Sequence, residues 1–392
     1  MSVFLKVRIV AVLIPLLAMP ASTAVAQRNL RDIPDPSPEG QLKTFRVADG
    51  FAVNLYASDP VVTKPIQIAF DERGRLWVAS SRVYPQIRPG QPEDDRVLIL
   101  EDRDRDGTAE HVTVFARGLL MPTGVLPGDG GAYVALGNEL VHFADRDGDG
   151  VADERRVVLS GFGLEDTHHI FHSLRWGPDG KMYFNQSYYI QSHIETPYGP
   201  RRLDGGGVWQ YDPVTGRLEI FVRGMVNSWG HRWDTFGQSF CTDGAFGEGI
   251  NYVFPGSTFV ASPGTVRKLR GLNPGNPKHA GLERLTGEHF PEAWRDRWIT
   301  ADFRANRINS FTVTEDGRSS GYAGRKRDDL LSSTHVAFRP VDMTMGPDGA
   351  IYFADWYNPI IQHGEVNFKD ERRDHVHGRI WRVAVAGKPA LK

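Results

Sequence analysis

The sequence predicts an all-β protein, a six-bladed β-propeller whose N-terminal strand closes the last blade. Two observations carry that expectation. Apolar and polar residues alternate with period two along the chain, and the alternating units share one form: a short apolar run, a Gly or Asp turn, then an aromatic-rich run. The units "PIQIAFDERGRLWVASS", "TGVLPGDGGAYVALG", "HSLRWGPDGKMYFNQS", "HRWDTFGQSFCTDG", "DRWITADFRANRINSFTV" and "PVDMTMGPDGAIYFADW" place turns near Gly74, Gly130, Gly180, Gly237, Asn306 and Gly349. A spacing of roughly fifty to sixty residues leaves room for one four-stranded sheet per unit.

Taken in order, residues 1–26 read as a signal peptide: Lys6 and Arg8 precede an apolar run that closes on Ala24-Val25-Ala26, a small-x-small cleavage pattern. The apolar run is shorter than the ~20 residues of a membrane span. The expected destination is therefore periplasmic or extracellular, with no span left after cleavage. Residues 27–42 read as a flexible leader and 43–392 as the propeller. "FAVNLYAS" precedes the first complete unit and is expected to supply the outer strand of the last blade, which hides an otherwise unpaired sheet edge. "RVLILED" and "HVTVFAR" read as outer strands of the first blade, "ELVHFAD" and "RRVVLSG" of the second, "GGVWQYD" and "RLEIFVRG" of the third. One helix is expected, around "GLERLTGEHFPEAWRDRW", ahead of the fifth unit.

Composition narrows the function classes. With 40% hydrophobic and 24% charged residues, a formal net charge of −2 and no long like-charge run, nothing attracts nucleic acid or anionic lipid. The single cysteine, Cys241, excludes an internal disulfide and a c-type haem attachment pair.

Two turns match position for position. "DRDRDGTAE" offers Asp102, Asp104, Asp106 and Glu110, and "DRDGDGVAD" offers Asp145, Asp147, Asp149 and Asp153. Alternate carboxylates around a glycine bend make an oxygen-rich site that suits calcium better than a transition metal. The glutamate of a full EF-hand is missing, since Thr113 and Arg156 stand at its place. The plainer reading is a pair of polar hairpin turns.

The loops leading into the innermost strands of a propeller gather at one end of the channel. Here they bring Lys64, Thr123, His168, His169, His172, Asn227, Trp229, His231, Asp302, Arg304 and Asp342. A histidine beside Asp or Arg in a partly dry channel is placed to take a proton near neutral pH. Side chains alternate along a strand, so only some of the three adjacent histidines are expected to reach the channel. His168 and His172 have no visible third partner for a zinc site.

At "HIFHSLRWGPDGKMYF" the chain resembles the soluble quinoprotein glucose and sorbosone dehydrogenase superfamily, six-bladed propellers that use pyrroloquinoline quinone (PQQ). The stretches "FAVNLYASDP", "EDTHHIFHSLRWGPDGKMYFNQS", "ETPYGPRRLDGGGVWQYDP", "NSWGHRWDTFGQSF", "DGAIYFADWYNPIIQHGEV" and "RRDHVHGRIWRV" also resemble the planctomycete-type "membrane-bound dehydrogenase domain" propellers. The resemblance implies that His169, eight residues before the GPD turn, is the base that takes a sugar hydroxyl proton. It further implies that Asn227, Trp229, Arg304, Asp342, His168 and His172 contact cofactor or substrate. Two departures stand out: Val226 occupies the place of a quinone-holding arginine, and Arg304 that of a lysine. The expected function is an exported sugar or alcohol dehydrogenase with PQQ and calcium, a carbohydrate or polyol substrate, and a separate electron acceptor such as a cytochrome. One alternative is a non-catalytic, calcium-stabilised propeller that binds polysaccharide or protein. The other is a lactonase-like hydrolase whose channel calcium is held by Asp302, Asp342 and Asn227.

Overall fold

The structure, a computed structural model, describes residues 27–245, 249–262, 268–273, 278–316, 321–361 and 366–391. The expected signal segment 1–26 lies outside the described residues.

Antiparallel sheets form six blades around a channel. The first runs outward through Pro65–Phe70, Leu76–Ser80, Asp95–Glu101 and His111–Leu119, and the second through Pro122–Gly128, Gly131–Leu136, Glu139–Ala144 and Glu154–Ser160. The third uses His172–Trp176, Met182–Gln186, Gly206–Asp212 and Arg217–Met225. Between its second and third strands rises a separate hairpin, Gln191–Ile194 with Arg201–Asp204. Among the described residues the fourth blade has three strands, Ser228–Trp233, Ser239–Asp243 and Gly249–Val253, while Ser257–Thr258 pairs in parallel with the third blade instead. The sixth consists of Pro340–Met345, Ile351–Asp355 and Arg379–Val385, and Phe51–Ser58 closes it by pairing antiparallel with Arg379–Val385, as expected for "FAVNLYAS".

Period two explains why the ring coheres. In the first blade Leu76 and Val78 pack towards the sixth blade, while Trp77 and Ala79 pack towards the second. The strand Leu76–Ser80 is thus apolar on both faces, as a strand between two packed sheets must be. Separate apolar clusters fill the interfaces between successive blades. Cys241 belongs to the cluster between the third and fourth blades, and burial pushes its thiol pKa up.

Two expectations need correction. The stretch expected as a helix instead supplies Leu282–Arg284, the innermost strand of the fifth blade, followed outward by Trp298–Asp302, Arg307–Glu315 and Tyr322–Ser333. The turn at Asn306 therefore joins the second and third strands of that blade. Leu282 and Leu285 mimic a helical spacing, but both are fully buried, and the vacant innermost position overrides local propensity. Only a single 3₁₀ turn, Glu292–Trp294, remains helical there. The expected leader, residues 27–42, lies against the ring. Gln41, in the short helix Pro38–Leu42, is buried; its Nε2 donates to Asp355 at 2.7 Å and its Oε1 accepts from Arg379 at 2.7 Å. Phe45–Val47 then joins the outer strand of the fifth blade.

The channel is filled with polar side chains. Gln67 donates to the carbonyls of Val125 and Leu174 at 3.2 and 2.8 Å, tying three blades together. Arg175 of the third blade reaches across to Asp342 of the sixth, Nη2 donating to its two oxygens at 2.5 and 2.7 Å. Arg232 of the fourth blade donates to Glu283 of the fifth at 2.9 Å and to the Met343 carbonyl at 3.0 Å.

Candidate functional site

Antiparallel pairing puts the start of each innermost strand and the end of the second strand at the same end of the ring. Loops from both positions enclose a pocket of about 270 Å³ there. Register shifts occur where innermost strands begin: Pro65/Gln67, Pro122/Gly124, His172/Arg175, Ser228/His231 and Pro340/Asp342. Such bulges re-aim side chains at the rim of a sheet.

In the third blade this overturns the alternation argument, because His168, His169 and His172 all line the pocket. His168 and His169 precede the strand. Ser173 adopts φ +58° inside the bulge, and both His172 and Ser173 face the cavity.

Asp166 organises this loop. Its Oδ1 accepts the His168 amide at 2.9 Å, its carbonyl accepts the His169 amide at 2.9 Å, and its Oδ2 lies 3.0 Å from His169 Nδ1. Burial raises the Asp166 pKa, but the His168 amide and the His169 ring outweigh burial and hold it below the usual value. An ionised carboxylate 3.0 Å from Nδ1 favours the tautomer with its proton there and the lone pair on Nε2, the arrangement a general base needs.

The other two histidines are bound differently. His168 Nδ1 shares a 2.6 Å hydrogen bond with the Tyr84 hydroxyl. His172 is buried, tilted against Trp229 at 4.8 Å and hydrogen-bonded through Nδ1 to the Ser173 hydroxyl at 2.8 Å. Burial drives its pKa down to about 3, so it is neutral. Among the described residues its buried Nε2 has no hydrogen-bond partner, which leaves a polar socket in the pocket wall.

Asn227, Trp229 and Arg304 also line the cavity. The chain reversal at Val226-Asn227 is held by Asp243, whose carboxylate accepts both amides at 2.8 and 2.9 Å. Asp342 and Asp302 do not line it. Asp342 is spent on Arg175 and the Ile68 amide. Asp302 is fully buried and accepts from Arg307 at 3.1 Å and from the Ala305 amide at 3.0 Å. Of Asp302, Asp342 and Asn227, only Asn227 faces the cavity. Lys64 and His231 are likewise buried away from the cavity. Lys64 donates to the Tyr357 carbonyl at 2.5 Å and lies 4.4 Å from the Trp356 ring, with burial lowering its pKa to about 8.

Loops after second strands add residues that the starts of the innermost strands do not supply: Tyr84 in the first blade, Phe303 in the fifth, Trp356, Asn358, Arg373 and His375 in the sixth. Lys278 leads into the fifth blade, and burial next to Arg304 lowers its pKa. The guanidinium of Arg373 donates to the carbonyls of Ile360, Val366 and Asn367 and braces the rim. Strand pairing was the available signal, since any residue just beyond a second strand shares this end of the ring. Among the described lining residues there is no carboxylate, so the cavity is aromatic and flanked by Lys278 and Arg304.

The acidic turns lie elsewhere, joining the third and outer strands of the first and second blades, at the end of the ring opposite the pocket. Asp102, Asp104 and Asp106 converge, as do Asp145, Asp147 and Asp149, their oxygens within 4.8 Å of one another. Glu110 and Asp153 stand outside these groups and accept the Arg103 and Arg146 amides at 2.7 Å. Among the described residues no helix is long and apolar enough to cross a membrane.

Known proteins share this architecture at low sequence identity. A putative oxidoreductase (glucose dehydrogenase) from Thermus thermophilus is 18% identical, with a TM-score of 0.57 over 85% of this chain and 100% of its own. A Trichoderma reesei protein of carbohydrate-active enzymes family AA12 is 12% identical, with a TM-score of 0.60 over 91% of this chain and 100% of its own. A PQQ-bound aldose sugar dehydrogenase from Streptomyces coelicolor is 14% identical, with a TM-score of 0.52 over 86% of this chain and 99% of its own. At such identities the likeness establishes the fold. No curated protein matches the sequence significantly. Residues 37–387, which span all six blades and the closing strand, match one family throughout, and the chain belongs to it: the domain of unknown function DUF7133.

Proposed function

We propose that this propeller oxidises an alcohol group of a carbohydrate or polyol in the pocket, with His169 as general base. The observation that carries the reading is the Asp166–His169 pair, 3.0 Å apart, at the wall of an aromatic, cation-flanked cavity. His169 takes the hydroxyl proton at Nε2, Asp166 stabilises the imidazolium that results, and Trp356 offers a ring face for a sugar.

The residues present fit PQQ, a planar aromatic tricarboxylate. Lys278 and Arg304 would meet its carboxylates, Trp229 its ring, and the unpartnered His172 Nε2 one of its polar atoms. When bound, the quinone supplies the hydride acceptor that no side chain can be. The presence of PQQ-bound propellers among the structural relatives supports the same reading. Calcium at the two acidic turns would stiffen the opposite end of the ring. Export through the N-terminal segment, and a separate acceptor such as a cytochrome, complete the reading. Val226 in place of an arginine favours the alternative of a pocket that binds saccharide without turnover.

The test titrates the purified protein with PQQ while following tryptophan fluorescence, then assays dye-linked oxidation of aldoses and polyols. Saturable quenching is expected, and His169→Ala should lower turnover by about 10²–10⁴ without changing the melting temperature. Neither quenching nor turnover in the parent would sink the oxidoreductase reading and leave the binding module. Turnover that survives His169→Ala would move the base elsewhere.

A further inference from the structure

Beside the pocket, outside its lining, two tyrosines lie open to solvent. Tyr189 is 60% exposed and Tyr188 44%, whereas Tyr56, Tyr133, Tyr183, Tyr352 and Tyr357 are at most 4% exposed. Tyr189 meets His169 edge to face, with ring centroids 4.9 Å apart, and Tyr188 meets Tyr189 in the same way at 5.4 Å. The Tyr188 amide donates to the Val226 carbonyl at 2.9 Å, next to Asn227 of the pocket. The two rings therefore form a ledge that starts at the proposed base and ends at the fourth-blade wall. Neither hydroxyl has a hydrogen-bond partner among the described residues.

The ledge stands on a firm base. Ile190 is fully buried, and Gln186 Nε2 donates to the Leu203 and Gly205 carbonyls at 3.0 and 2.8 Å. The following hairpin is pinned to the second-to-third blade connection: the His193 amide donates to the Gly161 carbonyl at 2.9 Å, and the Gly163 amide to Ser192 Oγ at 3.0 Å. Exposed aromatic rings held on rigid backbone lose little entropy on binding, which marks a recognition surface rather than a solvated turn.

We propose that Tyr189 and Tyr188 are a second saccharide subsite, so that the substrate class is a glycan of at least two rings, one in the pocket and the next stacked on Tyr189. This rests on the pocket holding a sugar but not on its oxidation. In a pocket of about 270 Å³ a longer chain must extend beyond the lining, and on the side of His169 the next surface it meets is the ring of Tyr189. The apolar C–H face of a pyranose matches a tyrosine ring face, and the unspent hydroxyls match its rim.

The test measures calorimetric affinity, with and without PQQ, for three ladders of one to four rings: malto-oligosaccharides, cello-oligosaccharides and oligogalacturonates. In at least one ladder the parent should gain about tenfold in affinity from one ring to two. Tyr189→Ala should remove about three- to tenfold of that gain while leaving the monosaccharide within about twofold, and Tyr189→Phe, which keeps the ring face, should retain most of it. Tyr188→Ala, which does not touch His169, should reduce the gain from two rings to three. Equal weakening of one-ring and two-ring ligands in Tyr189→Ala would mean that the ring acts only through His169, and the subsite would be overturned. Absence of any gain in all three ladders overturns it too, as does a flat ladder accompanied by slower reduction of a cytochrome in Tyr188→Ala, which would assign the ledge to an acceptor protein. A ladder gain without PQQ binding or turnover upholds the subsite and removes the dehydrogenase reading. Monosaccharide oxidation without a ladder gain does the reverse.

Discussion

Removing the charge of Asp342 separates a structural role from a cofactor-binding one. Asp342 and Arg175 are 1% and 6% exposed, and together they bridge opposite blades through the channel axis. Burial lowers the Arg175 pKa although Asp342 opposes the shift, so this guanidinium depends on its partner for compensation. In Asp342→Asn the shape survives but Arg175 is left as an unpaired buried cation, a change that costs about 3–5 kcal/mol. For residues 37–387, at about 2.1 cal/mol/K per residue, the unfolding entropy is about 0.7 kcal/mol/K, so the melting temperature should fall by about 4–7 °C. Arg175→Met should cost a comparable amount. The double variant Arg175→Met/Asp342→Leu should recover most of the loss, because two apolar groups replace two charges that no longer need each other. The assay is calorimetric melting of the four proteins together with their affinity for PQQ. If Asp342→Asn melted within about 1 °C of the parent but lost PQQ affinity, the cross-channel role would be refuted and Asp342 would return to the cofactor site.

Two further outcomes can be checked. His172, His231 and His279 are each held neutral by burial, with pKa values near 3 against an ordinary 6.5. The unfolded chain binds protons that the folded chain refuses, so stability is fully present above pH 6.5 and is lost as pH falls towards 3. Each histidine should cost about 1 kcal/mol between pH 6.5 and 5.5; urea midpoints that stay level across that interval would contradict their neutrality, and His279→Gln should shallow the slope. Calcium removal by a chelator should lower the melting temperature of metal-loaded protein, and Asp104→Ala or Asp147→Ala should each abolish part of that response without changing the pocket at the far end of the ring; no response to chelation would reduce both loops to hairpin turns.

What the sequence determined alone was the part governed by local periodicity. Alternation such as Leu76-Trp77-Val78-Ala79 dictates strands apolar on both faces, and a turn repeated at even spacing dictates equivalent blades. "FAVNLYAS" could be assigned to the last blade because an unpaired edge is unfavourable wherever it falls. The approximate site was legible for the same reason, since the starts of innermost strands must meet at one end of the ring. Tertiary structure decided what depends on pairing between distant residues. Arg175 and Asp342 are 167 positions apart, and only the closed ring shows that they neutralise each other and withdraw Asp342 from the pocket. Leu282–Arg284 is a strand because the fifth blade lacks an innermost one, not because its residues prefer it. Bulges at the rim, which no alternation rule anticipates, turn His172 and Ser173 to the same side. Lys278, Tyr84 and Trp356 join His169 because antiparallel pairing returns the end of each second strand to the start of the first, and the chemistry of the pocket is set by that geometry.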